Sequence, residues 1–252
     1  EAYNSERKDL DKLITKEALK QIEENNEKER FTSVVFQEDW HKGVIGIVAS
    51  RLIETYYRPT LVFTKSGDKY AASARSVKGF DVYNALEACT EHLEQFGGHM
   101  YAAGMTLKEG NYQIFKDAFE KEVEKTIHPD MLTPEIAVDA EIDFADITPK
   151  LIRILKQFEP YGPQNMTPIF LTKNIKDTGY GKPMGQEDEH LKLFVKQSQS
   201  PGTEGIAAIG FNLGNKIELT THQKPFQAVY CIDENEWKGK LSLQLRLRDI
   251  KE

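Results

Sequence analysis

The hydrophobic period of this chain changes once, near Pro129 and Pro134, and that change limits the folds open to it. Before it, short apolar runs alternate with helical patterns; after it, short strand-like runs are separated by turn residues. SVVFQ (33–37) fits a buried strand, and GVIGIVASRLIETYY (43–57) places apolar residues at i, i+3, i+4 and i+7, an amphipathic helix that Pro59 ends. TLVFT and KYAASARS read as strands joined at Ser66-Gly67-Asp68. DVYNALEACTEHLEQ (81–95) reads as a helix with Asp81 as N-cap; FGGH, an apolar YAAGMTL and the helical NYQIFKDAFEKEVEKTI follow. The alternation predicts an α/β domain over residues 31–128. Ahead of it, residues 1–30 predict a long, mostly solvated connector helix with a narrow stripe of Leu10, Leu13, Ile14, Ala18 and Leu19. Behind it, residues 129–252 open on the strand-like PEIAVDAEID and a helix, TPKLIRILKQF, with Thr148 as N-cap and Pro149 at the first helical position. IFLTKNIKDTGY, HLKLFVKQ, GIAAIGF, FQAVYCIDE and KLSLQLRLRDI then predict a mainly β, OB-like barrel, with KQSQSPGTEG as a hairpin loop.

Composition excludes some functions. A net charge of −7 argues against coating duplex DNA by bulk electrostatics, although a few well-placed cations suffice to bind phosphates locally. The only cysteines, Cys89 and Cys231, lie far apart in apolar surroundings and read as core thiols of a reducing compartment. No run has the apolar length of a membrane span and no secretory signal opens the sequence, so a cytoplasmic protein is expected. The sequence begins at Glu1, without Met and inside a charged helical pattern, which predicts a segment of a longer protein.

Candidate chemistry gathers in a few motifs. Gly97-Gly98-His99 offers two glycines that let the backbone approach an anion and an imidazole that can reach a phosphate oxygen; alone, it is equally a glycine turn before an incidental histidine. Ser73-Ala74-Arg75-Ser76 places a forked guanidinium between two hydroxyls at a strand end, a phosphate clamp or a surface arginine in a polar turn. Trp40-His41-Lys42-Gly43 precedes a helix whose N-terminus can face an anion, or which is simply a core helix with Trp40 packed beside it. Tyr161, in the rigid FEPYGPQN segment, can stack on a base, and Trp237 and Arg246 can line a barrel groove; structural roles are the alternative for all three. No cluster of Asp and His stands at metal-ligand spacing, and Asp139, Glu141 and Asp143 read as a solvated ladder, so no metal site is expected in this chain.

In order and spacing, WHKGVIGIVASRL, RPTLVF, SARS and FGGHMYAAG resemble the DHHA1 domain of RecJ exonucleases, members of the DHH phosphoesterase superfamily, and FEPYGPQNMTPIF and LQLRLRDI resemble the OB-like domain that follows it. The resemblance covers about residues 31–250, with the first helix matching the family's interdomain connector. Departures are mild: Ala72 stands where the family often has Gly, and Gln164-Asn165-Met166 replaces a common Gly-Asn-Pro. The resemblance implies a carboxy-terminal portion of a 5′–3′ single-stranded-DNA exonuclease of repair and recombination. Its DHH domain, with Asp and His ligands for manganese or magnesium, would precede Glu1. It further implies that Ser73, Arg75, Ser76, Gly97, Gly98 and His99 hold the phosphate chain, and that His99 supports catalysis beside the missing domain. The implied partners are single-stranded DNA, the DHH domain and other repair proteins. A DHH/DHHA1 phosphodiesterase for short oligonucleotides or cyclic dinucleotides, and a non-catalytic nucleic-acid-binding module, are the alternatives.

Overall fold

The computed structural model describes residues 2–197, 205–221, 224–237 and 239–252, and the chain divides into two compact units, Glu1–Glu135 and Ile136–Glu252. The first unit opens with α1 (Ala2–Glu24), followed by β1 (Ser33–Phe36), α2 (Ile45–Thr55), β2 (Thr60–Ser66), β3 (Lys69–Arg75), α3 (Val82–Glu87), β4 (Gln95–His99), β5 (Ala102–Lys108) and α4 (Tyr112–Thr126). The strands form one sheet in the order β1-β2-β3-β5-β4, with β1 and β2 parallel and the other pairs antiparallel. Gly67 turns the β2–β3 hairpin at a φ of +68°, a conformation that costs glycine nothing.

Because side chains alternate along a strand, the two faces of this sheet have different covers. Val34, Leu61, Phe63, Ala72, Met105 and Leu107 pack with Phe115 and Phe119 of α4 and with α3. On the opposite face, Val35 and Val62 pack with Val48, Ala49 and Leu52 of α2 and with Ile14, Ala18 and Ile22 of α1. The cover ends there: over β5 and β4 this second face is open, and Gln95, Gly97, His99 and Gly104 are exposed. The unpaired edge of β1 is handled by Gln21 of α1, whose amide accepts from Phe36 N–H (3.0 Å) and donates to the Phe36 carbonyl (2.9 Å). Buried Arg58 donates to Ser33 Oγ and to the carbonyls of Glu27 and Lys28, tying the turn after α1 to the start of β2; burial lowers its pKa from the ordinary arginine value.

Three expectations change here. The buried stripe of α1 is Asp11, Ile14, Ala18 and Ile22, whereas Leu10 and Leu13 are exposed at 40% and 55%. Buried Asp11 takes the Arg51 guanidinium of α2 at 2.7 Å, so an ion pair sets the helix's rotation where apolarity alone had suggested leucines. The helix expected over 81–95 ends at Glu87, although Asp81 does cap it, accepting from the N–H groups of Tyr83 (2.9 Å) and Asn84 (3.1 Å). Gln95–His99 pairs with β5 instead, so Gly97 and Gly98 lie in an edge strand rather than a glycine turn.

The second unit contains β6 (Ala140–Glu141), α5 (Pro149–Gln157), β7 (Phe170–Asp177), β8 (Lys182–Met184), β9 (His190–Gln197), β10 (Ile206–Gly210), α6 (Ile217–Thr220), β11 (Phe226–Trp237) and β12 (Lys240–Lys251). The sheet order is β6-β7-β11-β12-β10-β9-β8, and β9 also pairs with β7, which closes five strands on themselves in the OB manner. Phe170, Ile175, Leu191, Leu193, Val195, Tyr230 and Leu245 fill the interior. Thr148 caps α5 by accepting from Leu151 N–H. The strand expected from PEIAVDAEID shrinks to two residues, Ala140 and Glu141, which pair with Phe170 and Leu171. The segment expected as a hairpin loop after β9 falls largely on 198–204, outside the described residues.

Candidate nucleic-acid interface

The open half of the first sheet brings the two main motifs together. β5 lies between β3 and β4, and the register sets Arg75 opposite Ala102 and Ala102 opposite His99, one row on one face. The next row is Ser73–Gly104–Gly97. Sequence separation hides this neighbourhood; strand pairing creates it. The Arg75 guanidinium donates to Ser73 Oγ (3.0 Å) and to the Ala74 carbonyl (2.8 Å). It has no carboxylate partner among the described residues, so charge remains available to an anion. Ser76, by contrast, spends its hydroxyl proton on the Phe80 carbonyl at 2.7 Å and shapes the turn. His99 is exposed, and its Nδ1 accepts from Tyr101 N–H at 3.2 Å, which leaves Nε2 as the outward donor of the neutral ring. Gly98, at a φ of +153°, crosses Ala102 and Ala103 so closely that a Cβ would lie 2.3 Å from the Ala102 carbonyl oxygen. Gly97 faces open space.

A cavity of about 770 Å³ opens on this half of the unit, with Lys42, Ala71, Gln95, Gly97, Gly104 and Thr106 in its lining. His41 lies in the turn before α2, exposed, with Nδ1 accepting from Gly43 N–H at 3.0 Å. Among the described residues no hydrogen bond joins it to Ser73, Arg75 or His99. Gly46 is a positioning residue that sequence reading passed over: a Cβ there would lie 2.8 Å from Arg75 Nη2 and 3.0 Å from Ser73 Oγ. The obstructed atoms are side-chain tips, so Gly46→Ala is expected to displace the guanidinium while leaving the backbone in place. Oligonucleotide affinity should fall several-fold with the melting temperature nearly unchanged; a large loss of stability without a specific loss of affinity would contradict this placement.

In the second unit, Tyr161 and Arg246 line one small cavity of about 170 Å³ together with Ile152, Lys156, Ile232 and Glu234. The Tyr161 hydroxyl donates to the Leu155 carbonyl at 2.7 Å, and the Arg246 Nε is buried without a partner. The backbone of Trp237 ends β11; its side chain lies outside the described residues. The barrel also presents residues that the motif search missed. Leu191, Leu193, Val195 and Gln197 of β9 point inward, so Lys192, Phe194 and Lys196 point outward and are exposed. Lys192 pairs with Ile209, and Ile209 with Arg246 across β10 and β12; Phe211, 54% exposed, packs edge-on against His190 at 5.1 Å. Cations interleaved with aromatic rings on a barrel face suit a sugar-phosphate chain with stacked bases. The strict alternation in HLKLFVKQ was the available signal.

Among the described residues no group of His, Cys, Asp and Glu converges to hold a metal ion, and no helix is long and apolar enough to cross a membrane.

An α/β sheet with an open, phosphate-clamp-like half, followed by a closed OB-type barrel, defines the class of this molecule. Family models agree in the same order: the DHHA1 domain matches residues 28–125 and the RecJ OB domain residues 138–249. The single-stranded-DNA-specific exonuclease RecJ of Bacillus subtilis (strain 168) is 30% identical over 98% of this chain and 31% of its own length. The Escherichia coli (strain K12) protein of the same name is 30% identical over 99% of this chain and 44% of its own length. The crystal structure of RecJ from Thermus thermophilus in complex with Mn²⁺ has a TM-score of 0.78 at 24% identity, over 99% of this chain and 34% of that one, and shares the fold. The chain belongs to the RecJ family, as a DHHA1–OB portion that spans about a third to under half the length of these relatives.

Proposed function

We propose that this chain is the carboxy-terminal, single-stranded-DNA-gripping part of a RecJ-type 5′–3′ exonuclease of DNA repair and recombination, and that manganese or magnesium is held by a DHH domain outside it. The observation that carries the reading is the Arg75–Ala102–His99 row, which runs from Arg75 beside α2 out onto the uncovered face of β5 and β4, joined to the family membership. Arg75, steadied by Ser73, supplies a fork of donors to a phosphate. Gly97 and Gly98 keep the floor free of side chains, and His99 directs Nε2 toward the phosphate chain. Lys192, Phe194, Lys196 and Arg246 guide the strand along the barrel. A phosphodiesterase restricted to dinucleotides would have no use for that second surface, which favours the exonuclease reading.

The test is binding and cleavage by the purified chain. It should bind single-stranded oligonucleotides more tightly than duplex, with log affinity falling linearly as log salt rises. It should release no nucleotides with manganese or magnesium, since activating water in this way takes a metal first shell. Tighter binding to duplex at equal salt, or metal-dependent hydrolysis abolished by a point substitution within this chain, would overturn the reading.

A further inference from the structure

We infer that the open face carries a second backbone-phosphate station at the end opposite Arg75, formed by Lys42 and Lys108, and that this station makes the site prefer strands to short oligonucleotides. The inference rests on the reading of Arg75 and His99 as phosphate-holding. After the rows Arg75–Ala102–His99 and Ser73–Gly104–Gly97, the register continues with Ala71–Thr106–Gln95 and ends on Lys69–Lys108. From residue 75 to residue 69 the strand covers about 20 Å at the usual rise, longer than a dinucleotide can bridge. Lys42 reaches the same end from the loop before α2: it lines the cavity, and its Nζ lies 3.5 Å from Ser66 Oγ, whose residue pairs with Lys69.

The charges at this end are unevenly balanced. Lys69 is matched by Glu94 at 2.7 Å, and Lys65 by Glu38 and Glu109 at 3.7 and 3.8 Å. Lys42 and Lys108 have no carboxylate partner among the described residues. Lys108 moreover stands directly opposite Lys69 in the ladder, a like-charge pairing that is unfavourable by itself and that an anion would relieve. Two ammonium groups without a carboxylate among the described residues, Lys42 lining the cavity and Lys108 at the end of the same run of rows, suit phosphodiester oxygens, which need charge and no base-specific geometry. A strand lying on this face would meet donors at Arg75 and His99 first and at Lys42 and Lys108 after the intervening rows.

The experiment measures affinity of the chain for a 5′-phosphorylated thymidine dinucleotide and dodecamer across a salt series, with melting curves to confirm folding. For the Lys42→Gln/Lys108→Gln double variant, the dodecamer's slope of log affinity against log salt should become shallower by about 1.4, two single-strand phosphate contacts' worth. The affinity loss should be several-fold larger for the dodecamer than for the dinucleotide. Lys42→Arg/Lys108→Arg should keep the original slope. An unchanged slope, or equal losses at both lengths, would overturn the station. Arg75→Ala separates the two readings. If it weakens both lengths while the lysine variant changes nothing, only the second station fails. If Arg75→Ala is also without effect, or the unaltered chain binds neither oligonucleotide, the phosphate-clamp reading fails with it.

Discussion

Arg75→Ala is expected to weaken single-strand binding by about 1.5–3 kcal/mol, the range of a charge-assisted hydrogen bond, and to leave the fold standing. The side chain is half-buried, but among the described residues its hydrogen-bond partners are Ser73 Oγ and the Ala74 carbonyl, and both can find water once it is gone. Arg75→Lys should recover only part of the loss. A lysine carries the charge, but it lacks the planar fork that grips Ser73 and a phosphate together. The measurement is affinity for an oligothymidylate at fixed salt, with thermal unfolding in parallel. Equal affinity of the folded Arg75→Ala variant and the unaltered chain would remove Arg75 from the interface. Full recovery by lysine would show that charge alone matters.

Substitution of the two adjacent glycines should give opposite results. Gly98→Ala is expected to cost about 3 kcal/mol, from an unfavourable backbone conformation plus steric conflict. A Cβ there would sit 2.3 Å from the Ala102 carbonyl oxygen, 2.5 Å from Ala103 Cα and 2.8 Å from Ala103 Cβ, and none of these can move without shifting β5. Since β5 is the strand that holds Arg75 and His99 in one row, the site should be lost along with the stability. Gly97→Ala meets nothing within 4 Å and should stay within about 0.5 kcal/mol of the unaltered chain. Its new methyl group would rise from the floor of the open face, so binding is the property it should change. Chemical denaturation of both variants decides the matter: similar stabilities would refute the close crossing at Gly98.

The sequence determined a good deal by itself. The change of period near Pro129 separated an α/β pattern from a many-stranded one, because helical and strand periodicities are local properties of side-chain direction. The caps at Asp81 and Thr148 were legible for the same reason, since each depends on a side chain and backbone groups two or three residues away. The order of WHKGVIGIVASRL, SARS and FGGH carried the family, and the chain's DHHA1 and OB domains follow that order.

What only the tertiary structure decided involves groups far apart in sequence. The helical pattern on paper ran to Gln95 and gave way to the glycines of FGGH, yet pairing with β5 made Gln95–His99 one strand, because ladder hydrogen bonds outweigh weak local propensity. The face of α1 that is buried was set by the Asp11–Arg51 ion pair, which no count of leucines could reveal. The role of Gly46 as clearance for the Arg75 head emerged only when α2 lay over β3. The barrel's Lys192-Phe194-Lys196 face was written in the alternation of β9, but whether it pointed to water or to a second layer depended on closure of β9 onto β7. Register is a relation between strands, so the row Arg75–Ala102–His99 existed only once β3, β5 and β4 had paired.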